Sequence, residues 1–157
     1  MDARTNNGSF EVPEPTQNQY WNEVYTPDGW QVVNSRWPFS YLKIACEGKV
    51  CVLLEKNSQI FQRISKIIKN NYAYHVKFSY NWGDAECVIS AQSDGDDHST
   101  FITNHIAIWT NGWQTVSFKI IPDVLRNFAQ NDLIITFKTA GTSPSTLLDQ
   151  IIIKEEL

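Results

Sequence analysis

Two carboxylates near opposite ends of the chain, Glu11 and Asp149, an acidic run from Asp94 to Asp97, and the histidines His75 and His105 are the residues whose types could carry acid–base or metal chemistry. None stands in a catalytic motif. Glycoside hydrolysis would need two carboxyl groups flanking one bond at roughly 5 to 9 Å, and the β-rich runs contribute few acids beyond Glu86 and Asp132. There is no Gly-x-Ser-x-Gly elbow, no phosphate-binding glycine loop and no papain-like cysteine motif. The Asp94, Gly95, Asp96, Asp97 run lacks the alternating acids and distal Glu of an EF-hand and reads as a solvated hairpin tip. His75 and His105 have no third ligand and no His-x-His spacing, so they read as solvent-facing strand histidines. Cys46, Cys51 and Cys87 contain no Cys-x-x-Cys pair and read as small buried side chains, with a Cys46–Cys51 bridge as the alternative in a secreted protein.

The richer chemical signal is aromatic: 6 Trp, 6 Tyr and 8 Phe make up 13% of 157 residues. Flat rings accompanied by a few polar groups are what apolar sugar faces with hydroxyl rims require. These rings must be held by strands. From Tyr72 the residues Tyr72, Tyr74, Val76, Phe78 and Tyr80 alternate with Ala73, His75, Lys77, Ser79 and Asn81, the period of a strand with one buried and one wet face. Further β-rich runs are Trp30 to Val33, Tyr41 to Ala45, Val50 to Leu54, Gln59 to Ile64, Glu86 to Gln92, Phe101 to Trp109, Gln114 to Ile120, Leu133 to Thr139 and Leu147 to Lys154. Asn-Gly and Asp-Gly turns separate several of them. One helical stretch is predicted, Pro122 to Gln130, with Leu125 and Phe128 pointing inward.

About ten short strands in one chain of this length predict a single all-β domain over 1–157, an antiparallel sandwich or jelly roll, with residues 1–6 disordered or an addition to the natural chain. The net charge of -4 excludes a global basic field for nucleic acid. No apolar run approaches the roughly 18 residues of a membrane helix, and the first residues lack a signal-peptide core. The chain is therefore expected to be cytoplasmic as given, or secreted if a signal has been removed.

Several motifs in order carry a family resemblance: Asn7-Gly8-Ser9-Phe10-Glu11, Gly29-Trp30, Gln62 ahead of the Tyr74-His75-Val76-Lys77-Phe78 strand, Trp113 five residues before Phe118, and Leu148-Asp149-Gln150-Ile151. Together they resemble the carbohydrate-binding modules of the family-4, -9 and -22 type, which are galactose-binding-domain-like jelly-roll β-sandwiches. The resemblance implies a structural calcium held by Glu11 and Asp149 with backbone carbonyls such as those of Gly8 and Lys49. The alternative is that both carboxylates bind backbone amides and pin the termini. The resemblance places Phe10, Trp30, Tyr74, Phe78, Trp113, Phe118 and Phe137 in the core.

The rings left over suggest a ligand site of Trp21, Arg36, Trp37, Tyr41, Trp82, His105 and Trp109. The sequence thus predicts a non-catalytic module that binds an oligosaccharide or polysaccharide, free-standing or attached to a parent enzyme, with a protein-interaction or adhesion module as the alternative.

Overall fold

The computed structural model describes residues 8, 10, 20–21, 29–33, 39–42, 51–56, 58–64, 68–93, 95, 97–140 and 144–157. Eleven strands are described: β1 (Tyr20–Trp21), β2 (Gln31–Val33), β3 (Phe39–Leu42), β4 (Cys51–Glu55), β5 (Gln59–Ile64), β6 (Ala73–Asn81), β7 (Gly83–Gln92), β8 (Thr100–Thr110), β9 (Gln114–Ile120), β10 (Asp132–Thr139) and β11 (Ser145–Glu156). They form two antiparallel sheets, the first in the order β1-β3-β4-β11-β6-β9 and the second in the order β2-β5-β10-β7-β8. This is the expected jelly-roll β-sandwich. The strand runs read from sequence reappear with ends shifted by a few residues; the short β1, in a stretch that reads as loop, is the addition.

Alternation along the central strands builds the core between the sheets. Tyr74, Val76 and Phe78 of β6 face Cys87 and Ile89 of β7 and Leu133, Ile135 and Phe137 of β10 within one buried cluster. Phe137 stands at its centre, edge-on to Phe78 at 5.1 Å and to Trp30 at 6.2 Å, and Trp30 lies 5.4 Å from Phe10. Gln62, itself buried, donates its side-chain amide to the Gly29 carbonyl and so fixes the turn that delivers Trp30.

Three expectations change. Trp113 and Phe118 are only half-buried, because β9 is the edge of the first sheet and the core thins there. The second face of β6 is wet only at His75 and Lys77, while Ala73, Ser79 and Asn81 are buried. The helix is one α-turn, α1 (Pro122–Leu125), continued by a 3-10 turn over Arg126–Phe128. It has no side-chain cap at either start and becomes extended at Ala129. Leu125 and Phe128 nevertheless point to the core as expected.

Cys51 and Cys87 are buried, as expected of small core side chains, and Cys46, the other half of the alternative bridge, lies outside the described residues. Desolvation pushes the Cys87 thiol well above its ordinary pKa, with a smaller push from Glu86, and leaves it an unreactive core side chain.

Two of the connections that cross between the sheets, β6 to β7 and β8 to β9, are tied to each other. Trp82, with the positive φ of 57°, donates its N–H to the Thr110 carbonyl at 3.2 Å, and the Asn81 side chain accepts the Gly112 N–H at 2.7 Å. A Cβ on the neighbouring Gly83 would overlap the Ser145 carbonyl and the Thr146 hydroxyl. Gly83→Ala is expected to destabilise the fold by about 3 kcal/mol, the upper end of what overpacking costs, measured by urea denaturation. An unchanged midpoint would show that β11 can move away from this crossing.

Candidate functional site

One irregularity of the sheet lies in β11. Pairing with β6 runs Asp149 opposite Ser79 and then Ile152 opposite Lys77, so three steps on β11 match two on β6. The extra residue makes a β-bulge, and Gln150 takes the left-handed conformation at φ 52°. Left-handed backbone is uncommon outside glycine, and bulges re-aim side chains near functional sites. Leu148, Ile151 and Ile153 belong to the core cluster, which turns Asp149 to the outer face of the first sheet beside Ser79.

That face should be wet, yet Asp149 is 0% exposed and Ser79 is 1% exposed. Leu147, Asn81 and Cys51 nearby on β11, β6 and β4 are also buried, so this stretch of the outer face is sheltered from solvent. A carboxylate taken out of water must be hydrogen-bonded. Asp149 Oδ1 accepts the Gln150 N–H at 2.9 Å, and the Gly8 carbonyl accepts the Ile151 N–H at 3.0 Å. The Ser79 hydroxyl donates to Gln150 Oε1 at 3.2 Å and shares a second contact of 3.2 Å with the Thr115 hydroxyl. The result is a polar row from exposed Thr115 on β9 to buried Asp149 on β11.

The same sheet carries a second, exposed cluster. His75 Nε2 and the Glu156 carboxylate are in hydrogen-bond contact, and Lys119 Nζ lies 3.8 Å from the same carboxylate. The hydrogen bond from His75, then the charges of Lys119 and His75, hold the Glu156 carboxyl below its ordinary range. A lowered folded-state value contributes stability above the unfolded pKa and loses it as pH falls through the folded one. His75→Gln is expected to bring the Glu156 midpoint back toward the ordinary carboxylate value, read by NMR titration of its carboxyl carbon. A midpoint that stays in place would remove His75 as the cause. Deeper in, burial raises the Tyr74 hydroxyl to about 12, against the opposing hydrogen bond from the Lys69 N–H.

The aromatic residues singled out from sequence fall into separate places. Trp82 and Trp109, 48% and 59% exposed, are brought to the same end of the sandwich by the bond from Trp82 to Thr110. His105, on the same strand as Trp109, stacks on Phe118 across the two sheet edges with centroids 5.1 Å apart and planes at 5°. Trp21 and Tyr41 belong to β1 and β3, at the opposite edge of the first sheet from β9. Arg36, Trp37, Glu11 and Lys49 lie outside the described residues. Among the described residues no three His, Cys, Asp or Glu side chains gather as metal ligands.

Ser79, Thr115 and Gln150 are absent from the sequence-based site. The apolar run Ile151, Ile152, Ile153 hides the step of three between inward residues Leu148 and Ile151 that brings Gln150 to Ser79.

No family model matches the chain, and no curated protein is similar to it in sequence. Solved structures are similar in fold. Two cyclases from Fischerella sp. TAU, one in complex with 4-(1H-indol-3-yl)butan-2-one and one, a Stig cyclase, with (3Z)-3-(1-methyl-2-pyrrolidinylidene)-3H-indole, are each 15% identical. Each comparison covers 99% of this chain and 98% of the cyclase, with TM-scores of 0.75 and 0.74. A family-22 xylan-binding domain from Paenibacillus barcinonensis is 9% identical over 85% of this chain and 96% of its own, with a TM-score of 0.61.

The fold that the family resemblance implied is therefore present, but the functional expectation needs correction. Cyclases, which are catalytic, match the whole chain more closely than this carbohydrate-binding domain, and the reading as a non-catalytic binding or adhesion module is set aside. Motif order in a jelly roll reports the scaffold, and the scaffold hosts both kinds of protein. Among the described residues no helix is long and apolar enough to cross a membrane.

Proposed function

We propose that the chain is an enzyme of the cyclase type, closing a ring within a small aromatic substrate held against the sheltered outer face of the first sheet. The observation that carries this is Asp149, a buried carboxylate aimed out of the core by a bulge. Ring closure within one molecule conserves its atoms and calls for a proton to be delivered and withdrawn, which a single positioned carboxyl group can do. Shelter from water protects reactive intermediates from capture. The polar row of Ser79, Gln150 and Thr115 orients the substrate's heteroatom.

The indole-bearing ligands of the cyclases with this fold make indoles the first substrate class to test. Calorimetry with 4-(1H-indol-3-yl)butan-2-one should give saturable binding, and an indole carrying a pendant alkene should yield an isomer of unchanged mass and altered chromatographic retention. Neither binding nor an isomer from a panel of such indoles would overturn the proposal.

A second role for the same carboxylate is a structural calcium, favoured by the Gly8 carbonyl that hydrogen-bonds two residues from Asp149. Asp149 and Gly8 would supply two oxygens of the six to eight that calcium takes, and Glu11 and Lys49 would have to supply others. A thermal midpoint that falls on chelation in the wild type and not in Asp149→Asn would assign Asp149 to calcium.

A further inference from the structure

The outer face of the second sheet holds a cavity of about 290 Å³, lined by Lys56, Ser58, Gln59, Glu86, Lys138 and the Thr139–Ala140 end of β10. Gln59, Lys138 and Glu86 form one row across β5, β10 and β7. Two ammonium groups and one carboxylate border the space. Glu86 accepts the Asn104 side-chain amide at 2.9 Å and lies 3.7 Å from Lys138 Nζ, which leaves one positive charge in excess, with Lys56 on the far side of the row. Ser58 is 1% exposed, and its hydroxyl is a buried side-chain polar group with no hydrogen-bond partner. A buried hydroxyl without a partner costs free energy that a ligand acceptor would recover.

We infer that this cavity is a second binding site, for a small oxyanion: a phosphate or a carboxylate group seated between Lys56 and Lys138 and accepting the Ser58 hydroxyl. Ammonium groups and a hydroxyl donor are the partners that such oxygens take, and charge-assisted hydrogen bonds are the stronger kind. Glu86 sets the selectivity. Its carboxylate disfavours a ligand that crowds the β7 side and leaves the anion on the Lys56 and Ser58 side.

The test is an amide NMR titration of the full chain with inorganic phosphate and, separately, with succinate, at ionic strength matched with sodium chloride. Saturable shifts at Lys56, Ser58, Gln59 and Thr139 are expected with at least one of them, phosphate alone marking a phosphoryl site and succinate alone a carboxylate site. Lys138→Gln should weaken binding by about tenfold, and Glu86→Gln should tighten it. Ser58→Ala should weaken binding several-fold while leaving the unliganded thermal midpoint unchanged or higher. That last readout separates a ligand role from a packing role. Absence of saturable shifts with both anions, or shifts that persist unchanged in Lys138→Gln, overturns the assignment.

Discussion

Asp149→Asn is expected to lower ring-closing turnover by about 10²- to 10⁴-fold, the contribution of a positioned general acid or base. The substitution preserves shape, and the asparagine carbonyl can still accept the Gln150 N–H that Asp149 accepts at 2.9 Å. What it removes is the exchangeable proton. Substrate affinity should therefore change little while kcat falls, and circular dichroism should match the wild type. If turnover in Asp149→Asn stays within a few-fold of wild type, the carboxyl group is structural and the proposed site is wrong. Ser79→Ala serves as a graded companion. It breaks the contacts to Gln150 and Thr115 without touching the carboxyl, and should act on KM more than on kcat.

Phe137→Ala is expected to destabilise the fold by about 3 to 5 kcal/mol, the range for removing a buried aromatic ring. Phe137 is fully buried in β10, the central strand of the second sheet, and contacts Phe78 from the first sheet as well as Trp30. Its removal leaves a cavity at the meeting point of both layers, lined by rings too stiff to close it. Urea denaturation of Phe137→Ala and Phe137→Leu should order the two, with leucine losing much less. Equal losses would mean that the surrounding rings collapse into the space and that the ring contacts themselves add little.

The strand framework was legible because β6 and its neighbours obey a period of two and turns are marked by Asn and Gly. Phe10, Trp30, Tyr74, Phe78 and Phe137 were placed in the core by the family resemblance, with alternation agreeing for Tyr74 and Phe78, and all five are buried. The candidate site was not legible in this way. Asp149 could be singled out, but its shelter depends on which outward positions escape solvent, a property of tertiary covering that alternation in one strand does not encode. Ser79 reads as a wet-face residue and is 1% exposed. The bulge at Gln150 was hidden because Ile152 is apolar on a face where a polar residue would have revealed the change of register. Function was further from reach, since the motifs that suggested a sugar-binding module are those that build the scaffold.

The place of β11 in the first sheet also bears on how the molecule is made. It is the last of the described strands, yet it lies between β4 and β6, pairing Leu147 with Leu53 on one side and Asn81 on the other. During synthesis β4 and β6 emerge long before the strand that joins them, and their facing edges stay open until β11 has emerged. Long-range closure of this kind is slow and exposes strand edges to other chains. The second sheet has its centre, β10, already in hand by residue 139. The nascent chain therefore completes the layer with the Lys56 and Lys138 cavity first, and the layer with the Asp149 bulge comes into being only when β11 joins it.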